Sequence, residues 1–151
     1  MKEIVINNCY GGFGLSHKAV MRYAELKGIR LYPFFDDITK EVYGERATLD
    51  NPEVMVSYAL VAEAEYKKIE AEEQGKPIAL GRYEKSNALY FSESNINRTD
   101  PILIQVIREL KSKANSRYSK LKIVKIPNDV EWTIEEYGGI EWVAEKHRTW
   151  R

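Results

Sequence analysis

The apolar triplet Ile4-Val5-Ile6, followed closely by Gly11-Gly12-Phe13-Gly14, is the feature that most constrains the fold. Three branched residues between polar neighbours are too few for a helix and fit a strand, Lys2 to Asn8, buried on both faces. The glycines then demand a tight turn. Ser16 follows as a helix N-cap, Val20, Tyr23, Ala24 and Lys27 recur at helical spacing, and Gly28 stands where such a helix stops. The chain therefore opens as strand, glycine turn and helix.

The rest alternates between the two periods. Arg30 to Phe35 reads as a strand, and Pro33 within it removes a ladder donor, which predicts an edge position or a bulge. Residues 36 to 86 are charged and Glu-rich. There Asn51-Pro52 predicts the start of a long helix reaching about Gln74, stopped by Gly75 and Pro77, with Val54, Tyr58, Val61, Ala62, Tyr66 and Ile69 as its apolar stripe. Leu89 to Ser92 is a short strand. Thr99-Asp100-Pro101 is a second helix start, and Leu103, Val106, Ile107 and Leu110 mark the buried face of a helix over Ile102 to Ala114. Leu121 to Ile126 alternates as a half-buried strand closed by Pro127-Asn128-Asp129. Trp132 to Tyr137 and Ile140 to about Ala144 read as strands across Gly138-Gly139, the second with a terminal helical turn as alternative. The expected fold is one α+β domain over residues 1–151, a mostly antiparallel sheet of five or six strands with two or three helices. Within it, a helical segment is expected at about residues 36–86.

Charge and composition narrow the function. Lys plus Arg and Asp plus Glu both number 23, so no net field draws a nucleic-acid polymer or an anionic membrane, and an anion site must be a local pocket. Cys9 is the single cysteine and cannot form an internal disulfide. No apolar run approaches a membrane span, and the expected compartment is the reducing cytoplasm. His17 and His147 are the only histidines, neither beside a nucleophile in a known pattern, and no ligand set for a metal is evident. No cofactor is expected. A chain of this size with a long amphipathic helix and several C-terminal aromatics carries apolar surface that predicts at least a dimer.

Three segments hold residues suited to a ligand. In the glycine turn, Gly11, Gly12 and Phe13 precede a helix whose first turns carry His17, Lys18 and Arg22, an arrangement that can cradle a phosphate; a plain tight turn with solvated cations is the favoured alternative. In the second, Phe91 stands at a strand end, Asn95, Asn97 and Thr99 offer polar edges, and Arg98 precedes the helix start at Asp100. Asp100 is better explained as a cap, and Arg98→Ala is expected to weaken binding with little change in melting temperature. In the third, Arg148 lies in a tail where cations alternate with Trp150.

The blocks Ile6 to Ser16, Arg98-Thr99-Asp100-Pro101, and Leu121 through Ile126-Pro127, Ile134 to Tyr137, Glu141, Val143, Glu145 and His147 to Trp150 resemble small bacteriophage proteins. Among these they are similar to the sponges that disarm Thoeris, a bacterial defence that signals with a cyclic ADP-ribose isomer. The resemblance covers roughly half the chain and leaves out residues 36–86, which implies that the Glu-rich helix there is a lineage-specific segment. It implies a non-enzymatic homo-oligomer, a dimer or higher such as a hexamer, that holds the nucleotide signal in pockets at subunit interfaces in the host cytoplasm. It also implies separate sites for cyclic oligonucleotides. Two other classes stay open: a nucleotide hydrolase or transferase using His147 or Glu141, and a phage inhibitor that docks on a host protein through the 52–74 helix.

Overall fold

The computed structural model describes residues 1–35, 56–76 and 88–147. In chain order its elements are β1 (Lys2–Asn7), α1 (His17–Lys27), β2 (Tyr32–Phe35), β3 (Val56–Ala59), α2 (Glu63–Gln74), β4 (Tyr90–Phe91), α3 (Pro101–Leu110), β5 (Leu121–Ile126), β6 (Trp132–Tyr137) and β7 (Ile140–Glu145). This is an α+β protein with antiparallel strands, but among the described residues they do not join into one sheet. They form sheets of two, three and two strands, in the orders β1-β5, β2-β3-β4 and β6-β7. The chain divides into two compact units, one of Met1–Lys27 with Glu93–Arg151 and one of Gly28–Ser92.

In the first unit β1 pairs with β5 from Lys2↔Ile126 to Asn7↔Leu121, and α3 packs on β1 and on α1. Ile4, Val5 and Ile6 are at most 4% exposed, and with Val20, Leu103 and Val106 they make the core. Each such side chain contributes about 1.5 to 3 kcal/mol by leaving water. Both helix starts follow their local chemistry. Ser16 Oγ accepts the Ala19 amide at 3.1 Å, and Asp100 Oδ1 accepts the Ile102 amide at 2.9 Å with Pro101 at the first helical position. The helix after Pro101 is regular to Leu110, and Lys111–Ala114 closes it as a 3₁₀ turn.

The second unit departs from the expected long helix. Val56–Ala59 is a strand between β2 and β4, and α2 begins only at Glu63. The alternation of Val56 and Tyr58 suits pairing with Tyr32–Phe35, and this outweighs the helical spacing that Tyr58 shares with Val61 and Tyr66. Val54 and the start at Asn51-Pro52 lie outside the described residues. Among the described residues Pro33 does sit on an edge strand, since β2 ends the order β2-β3-β4.

Candidate functional site

β1 is hydrogen-bonded to β5 along one side only, and its other side would leave strand amides and carbonyls without a ladder. Arg98 and Glu141 fill that place. The Val5 amide donates to the Arg98 carbonyl at 2.9 Å, and Arg98 Nη1 donates to the Val5 carbonyl at 3.1 Å. One residue pair further, the Asn7 amide donates to Glu141 Oε1 at 2.7 Å. The guanidinium grips the Glu141 carboxylate with two prongs, Nη1 to Oε1 at 2.8 Å and Nη2 to Oε2 at 3.0 Å. Its flat face lies 3.6 Å from the centre of the Phe13 ring. Side-chain exposure is 18% for Arg98 and 10% for Glu141, so this ion pair is mostly withdrawn from water and takes the position of a third strand.

Asn7 extends the network. It is fully buried, its Nδ2 donates to the carbonyls of Cys9 (2.7 Å) and Gly139 (2.8 Å), and its Oδ1 accepts the Lys120 amide at 2.8 Å. Cys9 is half-buried, its Sγ 3.4 Å from both Asn7 Oδ1 and the Tyr118 carbonyl. Asn7 thereby ties β1, the start of β5 and the turn between β6 and β7 together. Nothing in its sequence neighbourhood distinguishes it from an ordinary strand-end asparagine.

The glycine turn packs against the tip of the β6–β7 hairpin. The Gly11 amide donates to the Gly138 carbonyl at 3.2 Å, the Leu15 amide reaches Glu93 Oε1 at 3.4 Å, and the Ser16 amide reaches the Ala114 carbonyl at 2.9 Å. Gly11 and Gly12 have φ of +127° and +100°, and Gly139, at +91°, abuts both of their amides. The amides of Gly11, Leu15 and Ser16 are thus committed to the fold and are not open to a phosphate. The glycines are where two turns pass at backbone contact.

The other candidate residues are also bound into the fold or stand apart. Asn97 Oδ1 accepts from the Thr99 amide and hydroxyl at 3.0 and 2.8 Å, a local turn bond, and Asn95 is exposed in a 3₁₀ turn. Asp100 Oδ2 accepts from the Tyr23 hydroxyl at 2.7 Å and pairs with Lys27 Nζ at 2.9 Å. Burial alone would raise the Asp100 carboxyl, but Tyr23, Lys27 and the Ile102 amide outweigh it and hold it below the ordinary aspartate range. Arg22 forks onto Glu109 and also pairs with Glu25. Lys18 is exposed on α1. Phe91 belongs to the second unit, edge-on to Tyr58 at 6.5 Å between ring centres. Arg148 lies outside the described residues. The structure thus joins the glycine turn to the Arg98 loop through Phe13, and does so as a structural knot.

Glu93 presents a testable electrostatic feature. Burial pushes its carboxyl above the ordinary glutamate value of 4.5, and the long bond from the Leu15 amide offsets only part of this. A carboxyl raised in the folded state favours folding when protonated, and that advantage is lost as pH rises through its folded pKa. Glu93→Gln keeps the acceptor and removes the charge. It should melt higher than the wild type at pH 7, the gap narrowing as the pH falls through the raised pKa and closed below 4.5. Equal melting temperatures across that range would refute the assignment.

Three exposed tyrosines stand around this knot. Tyr10, Tyr118 and Tyr137 are 70%, 64% and 72% exposed. The Tyr10 ring lies beside Gly138, Tyr118 Cβ lies 3.0 Å from where a side chain on Gly11 would begin, and Tyr137 pairs with Ile140 beside the Gly138-Gly139 turn. Ser119 Oγ pins the loop that carries Tyr118, donating to the Gly14 carbonyl at 2.7 Å and meeting Ser116 Oγ at 2.9 Å. Arg117 lies over the Tyr118 ring at 5.5 Å. The sequence reading missed this rim because its members are 19 to 127 residues apart. Their only shared signal is that each stands next to, or two residues from, a glycine or serine turn.

Among the described residues no cluster of His, Cys, Asp or Glu could hold a metal ion, and no helix is long and apolar enough to cross a membrane. Comparison with family models, curated proteins and solved structures returned no match to this chain.

Proposed function

We propose that this protein binds a nucleotide-type signal and holds it without turnover, in the manner of the sponges it resembles. The observation that carries the reading is the rim of Tyr10, Tyr118 and Tyr137, three rings exposed to solvent on a backbone locked by paired glycines. Large apolar rings in water are disfavoured unless something covers them, and rings on a stiff support lose little freedom when a base stacks on them. Each stacked base contributes about 1 to 3 kcal/mol. A sponge acting near nanomolar concentration needs about −12 kcal/mol, so stacking on one chain alone falls short. Closure of the site between subunits of a homo-oligomer supplies the remainder, and a cyclic ADP-ribose isomer in the host cytoplasm is the ligand that the resemblance implies.

The test is native mass spectrometry after incubation with extract from cells that make the cyclic signal. It reads stoichiometry and ligand mass together. An intact ligand on an oligomer is expected, weakened by about 1 to 3 kcal/mol in Tyr118→Ala and in Tyr137→Ala. A released ligand of altered mass would instead establish a hydrolase or transferase. Absence of any bound small molecule, with the tyrosine variants unchanged, would sink the reading.

A further inference from the structure

The balance of 23 basic and 23 acidic residues hides a segregation. Residues 110 to 128 contain Lys111, Lys113, Arg117, Lys120, Lys122 and Lys125 and no Asp or Glu. All six are exposed. Lys125 lies opposite Glu3 in the β1–β5 register, and alternation along β5 puts it on the other face from Lys122. The remaining five enter no ion pair among the described residues, in contrast to Arg22, Lys27, Arg98 and Arg108, each of which is matched to a carboxylate.

Their placement is fixed by the fold. The Lys113 carbonyl accepts the Ser16 hydroxyl at 2.6 Å, which seats Lys111 and Lys113 at the positive end of α1. Arg117 and Lys120 bracket Tyr118, and the Lys120 carbonyl accepts the Asn8 amide at 2.7 Å, which brings that residue beside the glycine turn and Tyr10. Lys122 continues from there onto β5. Uncompensated cations therefore border the rim at Tyr118 and Tyr10, while the exposed Glu135 and Glu136 precede Tyr137.

We infer that this segment and the rim together bind single-stranded nucleic acid, with phosphates on the cations and bases on the tyrosines. The inference rests on reading the tyrosines as stacking surfaces. Five unpaired cations exceed what the charge of a mononucleotide can neutralise, whereas a strand delivers one phosphate per nucleotide. A duplex would satisfy the cations but hides its base faces, leaving the rings uncovered; a single strand satisfies both. An acidic protein would likewise meet the cations while making no use of the rings.

The experiment is fluorescence anisotropy of the full chain with a labelled twelve-nucleotide dT strand, the matching dT·dA duplex and unlabelled cyclic ADP-ribose as competitor. The single strand should bind tighter than the duplex. With three to five phosphate contacts, affinity should fall roughly 20- to 130-fold between 50 and 200 mM salt. The exposed charge reversal Arg117→Glu with Lys120→Glu should weaken binding at least tenfold and flatten the salt dependence. Tyr118→Ala should weaken it roughly 5- to 150-fold and leave the salt dependence unchanged. Failure of the strand to bind, equal binding of duplex, or indifference to either variant overturns the inference. If the cyclic signal binds and the strand does not, only this inference falls. If the strand binds and the signal does not, the sponge role falls alone, and if neither binds, both fall.

Discussion

Arg98→Ala is expected to lower the unfolding free energy by about 3 to 5 kcal/mol, because it leaves the Glu141 carboxylate buried without its counter-charge. The sequence reading expected little effect on stability. The structure replaces that expectation, since the guanidinium is held by Glu141, by the Val5 carbonyl and by the Phe13 ring. Glu141→Leu should be costly for the converse reason, stranding Arg98 and the Asn7 amide together. The double variant Arg98→Met/Glu141→Leu should cost clearly less than Arg98→Met and Glu141→Leu measured singly and added, since an apolar pair of similar volume carries no desolvated charge. Urea unfolding of the four proteins measures the coupling. Additivity within about 0.5 kcal/mol would show that the two side chains do not act as a unit.

Gly139→Ala should cost about 2 to 5 kcal/mol, from a methyl group forced against the backbone and from an unfavourable positive φ. The new Cβ would stand inside van der Waals contact of the Gly12 amide and 2.8 Å from that of Gly11, and Gly139 sits at φ +91°. Gly12→Ala is the informative control. Its φ is also positive, at +100°, but a Cβ there meets nothing within 4 Å, so only the backbone term applies. The Gly139 variant should therefore melt well below the Gly12 variant. It should also lose amide exchange protection at Gly11, whose donor bond runs to Gly138. Equal melting of the two variants would mean that the hairpin tip gives way freely and does not hold the glycine turn.

Local chemistry was sufficient for much of the chain. Ser16 and Asp100 cap helices wherever the helix is placed, Pro33 excludes a central strand position, and the alternation in Leu121–Ile126 has a single reading; all four appear in the structure as the sequence predicts. Asp100 as a cap was likewise legible, because the bond it makes is two residues long. Competing local signals decided less well. Tyr58, Val61 and Tyr66 fit a helix by spacing, and only the partner strand β2 turned Val56–Ala59 into a strand. The number of sheets was beyond reach for the same reason, since strand pairing is a long-range choice. Arg98 reads as a free cation until Glu141, 43 residues away, is placed beside it. The tyrosine rim exists only because Asn7 and the paired glycines bring residues 10, 118 and 137 to one place. Whether a charge is spent on the fold or left for a ligand is set by its neighbours in space, which tertiary structure alone supplies.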